Sequence, residues 1–179
     1  MATTQAAALI TNTIAGLGTD YKIFDNVAIH QSATIDGNAI LRGPAIISKN
    51  CFVGANCYLR GGVFLGESVS LGPGCEVKTS FIFPYSALGH FNFAGDSIIG
   101  SHVNMEAGSV IANHYNERKD KTIFLMIDGK PYASGVTKFG ALVGDHTKIG
   151  ANAVLSPGTI LAPGTIVKRL ELIEQCPGK

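Results

Sequence analysis

Along one long stretch of the chain, every sixth residue is apolar. From Ile29 the series runs through Ile35, Leu41, Ile47, Val53, Leu59, Leu65, Leu71, Val77 and Phe83. Two residues before each stands Val27, Ala33, Ala39, Ala45, Cys51, Cys57, Val63, Val69, Cys75 or Phe81, most of them small. Side chains at i−2 and i share one face of an extended strand. Each six-residue unit therefore sends one small and one large residue inward, while the Gly, Asn, Ser and Pro residues between them turn a corner. A period of six fits no helix. Short strands between regular corners predict a β-solenoid, in which stacked coils bury what no single coil can.

The rhythm changes frame across residues 86–100. Phe93, Ile99, Met105 and Ile111 keep the period among themselves but stand out of step with Phe83. His90 falls inside this break, and the lost frame is expected to aim its imidazole. A second interruption covers residues 113–138, where residues 122–132 predict a strand running into an Asp-Gly turn. A projecting loop or hairpin of that length is usually functional or disordered. The repeat resumes at Val143, Ile149, Leu155, Leu161 and Val167. The expected organisation is an N-terminal cap segment over 1–23, a body over 24–168 with the loop 113–138 inserted, and a C-terminal cap or tail over 169–179. Short helices are expected near both ends: one over about residues 4–14 docked on the first coil, and an amphipathic turn within 168–175 covering the open edge.

Composition narrows the function classes. Apolar residues are 46% of the chain and charged residues only 15%, against disorder. A net charge of +1 gives no basic excess for nucleic acid. No apolar run approaches a membrane span, and Met1 to Ala8 lack the basic start of a signal peptide, so a cytoplasmic protein is expected. Cys51, Cys57 and Cys75 fall on the small inward position, where Cys acts as a small hydrophobe. Cys176 forms no CxxC pair with them.

Two features carry chemistry. Arg42, Arg60 and Lys78 follow one another at 18-residue intervals. On an 18-residue coil they stack about 4.8 Å apart, a spacing at which like charges repel unless an anion lies between. This column reads either as a solvated basic edge or as a phosphate site built from an Arg fork and a Lys point charge. The five histidines, His30, His90, His102, His114 and His146, stand two six-residue units apart at the nearest.

The small-x-large-Gly unit resembles the hexapeptide repeat of left-handed parallel β-helices, three hexapeptides to a triangular coil. That resemblance implies an all-β, left-handed parallel β-helix. Gly89-His-Phe-Asn-Phe-Ala-Gly-Asp96, Val103-Asn-Met-Glu-Ala-Gly-Ser109 and Ile111-Ala-Asn113, with Arg60 and Lys78 upstream, carry a more specific likeness. They resemble the acetyltransferase domain of glucosamine-1-phosphate N-acetyltransferases and of sugar-1-phosphate nucleotidylyltransferases, over roughly residues 27–168. The resemblance implies an acetyl-CoA-dependent N-acetyltransferase acting on an amino-sugar phosphate or nucleotide amino-sugar. His90 would be the general base, Ala107 would offer its N–H to the oxyanion, and Asn113 and Asn104 would orient sugar and amine. Arg60, Lys78 and Lys119 would hold the phosphate beside Phe93, with Lys138 as the other loop lysine. Acetyl-CoA, the co-substrate, would pass Gly150, Ala151 and Lys168, with Lys148 and Arg169 as further phosphate contacts. No metal site is implied, and Mg2+ would act only as an ion the protein does not bind. Partners would be the sugar phosphate, two further copies in a homotrimer, and a separate nucleotidyltransferase, because only a short segment precedes the first repeat near Phe24.

This sequence departs from the family pattern at Phe93, where the family has Tyr, and at Glu106, where it has Gly. The departures keep open a second reading, a non-catalytic sugar-phosphate-binding or trimerising module. A third reading, a zinc protein of the γ-carbonic-anhydrase type, calls for a His-x4-His pair that the sequence lacks.

Overall fold

The computed structural model describes residues 3–176 and is a parallel β-solenoid with one helix, α1 (Thr3–Ile14). Its strands stack in columns that form three faces. The second face is a seven-stranded sheet running from Thr34–Ile35 through Asn104–Met105 to Ile166–Val167. The first and third faces merge into one 13-stranded sheet, because Tyr58–Leu65 and Glu76–Ile82 run unbroken round the corner between them. The inward column is the predicted one over most of its length, with Leu59, Leu65, Leu71 and Val77 fully buried. Cys51, Cys57 and Cys75 are buried too, and the Cys51 thiol donates to the carbonyl of Gly66 at 3.0 Å. Burial pushes that thiol up to about 11.

The frame is first lost before residue 86, at Thr79, and shifts again at Asp96, by a single residue each time. Val27 lies beside Ala45 and Ala45 beside Val63, three whole hexapeptides apart each time. Val63 then lies beside Ser80, one residue short of that interval. The register slips between Arg60 and Val63, where Gly61 and Gly62 oppose the single residue Thr79. The next coil repeats the short corner at Asp96, since Lys78 lies beside Gly95 and Phe81 beside Ile98. Thr79 and Asp96 both turn this corner at positive φ (48° and 49°). The interior therefore runs Val77, Ile82, Leu88, Ala94, Ile99, Met105, Ile111, and Ile82 displaces the expected Phe83, which is 41% exposed. Phe93 likewise faces outward while Ala94 takes the interior. The small inward position is filled here by Ser80, Ser86, Asn92 and Ser97, all buried. Their polar atoms are satisfied: Ser86 donates to Gly100 O at 2.7 Å and Asn92 to Glu106 O at 2.7 Å.

The ends also depart from expectation. Helix α1 does not cap the first coil. It lies along the outside of the first face, where Ile10 and Ile14 pack with Ala28, Ile46, Phe64 and Phe81. The first coil is edged instead by Tyr21–Phe24, antiparallel to Val27–His30. At the other end no helix forms among the described residues. Leu172–Ile173 adds one more parallel strand beside Val154–Leu155, and the Gln175 amide pairs with both main-chain groups of Ile160 at 2.8 Å. Residues 177–179 of the expected tail lie outside the described residues.

The inserted loop leaves after Asn113 and returns at Gly140. It carries the predicted hairpin, Phe124–Ile127 with Lys130–Ala133, turning through Asp128 and Gly129, both at positive φ. Tyr115 and Ile123 bury its base, and Tyr115 Oη donates to Pro157 O at 3.0 Å. Among the described residues no helix is long and apolar enough to cross a membrane.

Candidate functional site

The predicted site residues divide between two corners, one at each edge of the third face. The first corner joins the third face to the first and holds the basic column, but acids are interleaved with it. Arg60 donates to Glu76 Oε1 from Nε at 3.0 Å and Nη2 at 2.6 Å. Arg42 and Arg60 both approach the Tyr58 ring, 6.0 and 5.6 Å from its centroid. Lys78 Nζ lies 2.7 Å from Asp96 Oδ2, and the two side chains are only 12% and 2% exposed. The anions that stacked cations require are thus supplied from within the chain, by Glu76 and Asp96.

The same carboxylate oxygen of Asp96 accepts from Asn113 Nδ2. Gly95 keeps this cluster tight: a Cβ there would lie 2.6 Å from Asn113 Nδ2 and 2.8 Å from Phe93 Cζ. Lys78, Phe93, Asp96 and Asn113 therefore form one contiguous group. The loop closes on it, with Phe139 N–H donating to Asn113 O at 3.0 Å and Gly140 N–H to Asp96 O at 2.9 Å. That return places Lys138, adjoining Phe139, beside the group. Lys119 is exposed farther along the loop, and it is Lys121 Nζ that reaches His114, 3.5 Å from Nε2.

The second corner joins the second face to the third and holds His90. This corner keeps step with its neighbours: Gly72 N–H donates to Leu88 O and Gly89 N–H to Met105 O, as in-register coils require. His90 is thus not aimed by the lost frame. It stands at an ordinary corner position, exposed, with its ring in no hydrogen bond among the described residues. The strand Phe93–Gly95 crosses the third face between it and the Lys78–Asp96 corner, roughly 15 Å of extended chain. Within one chain His90 is not brought to Lys78 and Asn113.

What the fold does bring to His90 is Ala107. The Gly108 N–H donates to His90 O at 2.8 Å, so Ala107 sits on the same corner one coil on. Among the described residues nothing in the chain accepts the Ala107 N–H. Further along this corner lies a groove of about 500 Å3 that includes Asn104, Gly150 and Lys168. Asn104 therefore belongs to the groove, on the second face beside Lys148, rather than with Asn113. Glu106 crosses the groove: its carboxylate takes Arg169 Nε and Nη2 at 2.7 Å each and the Ala151 N–H at 2.9 Å. Gly150 N–H is also committed, to Val167 O at 2.9 Å. The Arg169 guanidinium holds the Glu106 carboxyl below its ordinary range. The acid at the departing position 106 is thus drawn off by Arg169 and Ala151.

Sequence reasoning assigns no role to Glu76 or Asp96. The 18-residue interval is only a partial signal: it separates Asp96 from Lys78 and Glu76 from Tyr58, but the shortened coil sets Gly95 beside Lys78, and the partner of Glu76 is Arg60. For the zinc reading, no three His, Cys, Asp or Glu side chains gather as a metal group among the described residues.

Comparison with known proteins places the repeat. The family model for the hexapeptide repeat of succinyl-transferase matches residues 44–78. A bifunctional sugar-1-phosphate nucleotidylyltransferase/acetyltransferase of Sulfurisphaera tokodaii is 39% identical over 88 residues, 49% of this chain and 21% of that protein. The bifunctional protein GlmU of Methanococcus maripaludis is 38% identical over 87 residues, 49% of this chain and 20% of that protein. The match thus spans about a fifth of the length of these relatives. A solved hexapeptide transferase family protein of Anaplasma phagocytophilum is 22% identical with a TM-score of 0.48, covering 82% of this chain and 72% of that one. The chain is a parallel β-solenoid whose residues 44–78 match the hexapeptide-repeat model, and about half of it is similar in sequence to these two bifunctional proteins.

Proposed function

We propose that this chain transfers an acetyl group from acetyl-CoA to the amine of an amino sugar carried as a phosphate or nucleotide conjugate. The observation that carries the reading is the pairing of His90 with Ala107 on one corner: an uncommitted imidazole one coil from an uncommitted N–H. Near neutral pH an imidazole accepts a proton from the attacking amine as the C–N bond forms at the thioester carbonyl. The Ala107 N–H faces the oxyanion that develops there. The C–S bond then breaks, and the proton held by His90 is available to the leaving thiolate.

The phosphate contacts follow from which cations can be released. Lys78 is nearly buried against Asp96, whereas Arg60 and Glu76 are 37% and 35% exposed, so Arg60 can turn to a phosphate at little cost. Because His90 and Asn113 stand at opposite edges of the third face, a homotrimer completes each site by bringing the Asn113–Lys138 region of one copy to His90 of the next. A separate nucleotidyltransferase is the natural consumer of an acetylated sugar 1-phosphate.

The test is thiol release from acetyl-CoA against a panel of amino-sugar 1-phosphates and nucleotide amino-sugars. His90→Ala should lower turnover about 100-fold or more while circular dichroism stays unchanged. Near-wild-type turnover in that variant removes the base assignment. The non-catalytic binding module is favoured by one observation, the Glu106 carboxylate lying on the Ala151 N–H. Calorimetry with acetyl-CoA separates the two readings, since such a module need not bind it.

A further inference from the structure

From the second to the sixth strand of the second face, the corner position that follows is bare at Gly54, Gly72, Gly89 and Gly150, while Glu106 adds a side chain. The fold does not need that carboxylate, yet it is fully engaged. Arg169 grips it with two parallel bonds of 2.7 Å, and the Ala151 N–H adds a third at 2.9 Å. Lys148 and Lys168 line the same groove with Asn104 and Gly150. Two further cations thus share the groove with an anion already held by one guanidinium and one backbone N–H. An Arg fork joined to a backbone N–H is the donor set that recognises phosphate oxygens.

We propose that Glu106 is a built-in competitor, an internal anion that occupies the Arg169 and Ala151 donors of this groove until the phosphoanhydride of a ligand displaces it. The inference rests on the reading that the chain takes acetyl-CoA, whose pyrophosphate would be the displacing group. Exchange is feasible because the internal pair is weakly held: the Arg169 side chain is 73% exposed and that of Glu106 36%, and exposed pairs contribute little. Glu106 stays ionised at neutral pH, its carboxyl held down by Arg169. It therefore competes whenever the ligand is dilute, and a competing internal anion lowers apparent affinity by the fraction of molecules in which it is docked. A ligand with more than one negative charge gains Lys148 and Lys168 as well as the donors Glu106 gives up. A ligand with none gains neither.

The experiment is calorimetric titration of the full chain with CoA, inorganic pyrophosphate and pantetheine, in wild type, Glu106→Ala and Arg169→Ala. Glu106→Ala should tighten CoA and pyrophosphate about two- to five-fold and leave pantetheine unchanged. Arg169→Ala should weaken both phosphate ligands, with circular dichroism confirming that each variant is folded. Unchanged or weaker pyrophosphate binding in Glu106→Ala overturns the inference, as does an equal gain for pantetheine, which would mean simple steric clearance. Failure of every protein to bind pyrophosphate also overturns it. If Glu106→Ala tightens pyrophosphate while CoA does not bind, the anion groove stands and the acetyl-CoA reading fails. CoA bound equally by wild type and Glu106→Ala is the reverse result.

Discussion

Asp96 joins three coils through one carboxylate. It sits on the coil between Lys78 and Asn113, binds both through Oδ2, and accepts the loop's return with its carbonyl from Gly140 N–H. With its side chain 2% exposed and Lys78 12% exposed, removing it strands a largely desolvated ammonium. Breaking a buried pair from one side costs more than replacing both partners with apolar groups. Asp96→Ala should therefore destabilise the chain by about 3 kcal/mol in urea unfolding. The double variant Lys78→Met/Asp96→Leu should recover much of that loss. A cost below about 1 kcal/mol for Asp96→Ala would show that the pair is solvated and Asp96 is no hub. The identities at this site are legible from the sequence, but the charge balance is not. Stacked cations imply an intervening anion, and Glu76 and Asp96 are the anions, each hidden at a position where only the coil geometry sets it against its partner.

At the scale of the strand and its corner, the frame explains both what the six-residue rhythm reveals and where it misleads. Up to Val77 the apolar hits and the interior coincide, because each coil takes three whole hexapeptides and every corner has the same length. At Thr79 the corner shortens by one, and apolar residues on the outer surface continue the old beat: Phe81 lies under α1, and Phe83 packs beside Phe64 with ring centroids 6.2 Å apart. The true small column passes meanwhile to Ser80, Ser86, Asn92 and Ser97, whose polarity removes them from any search for apolar periodicity. Two successive shortened coils read as one diffuse break, which sequence alone centres on His90. The assignment is checked by paired substitutions. Ile82→Ala, which empties a fully buried site, should cost about 2–4 kcal/mol. Phe83→Ala loses only part of an exposed aromatic contact and should cost about 1 kcal/mol or less. The opposite order would place Phe83 back in the core.

At the scale of the whole molecule, the solenoid has an apolar outer face and an open first coil to cover, and the N-terminal segment covers both. The outward positions of the first face, Ala28, Ile46, Phe64 and Phe81, are apolar as well as the inward ones, and α1 covers them. Inward periodicity alone cannot show this, so it sends the helix to the end of the prism, where hairpin strand Tyr21–Phe24 lies instead. The third face has no such cover from the described residues of its own chain. It carries Phe93, Val110 and Val154 outward, with His90 at one edge and Asn113 at the other. A shared site between copies has a consequence that a site within one chain does not. His90→Ala and Asn113→Ala, each inactive alone, should complement when mixed, dissociated and reassembled. In a randomly mixed closed ring, a site is intact when one copy supplies His90 and the next supplies Asn113, so about one quarter of wild-type turnover should return. Activity no greater than that of the separate variants would mean that each chain acts alone, and then the distance between the two corners would leave His90 without Asn113. Recovery near one quarter would join them across the interface, with the loop return at Phe139 and Gly140 holding Asn113 in place for the neighbour.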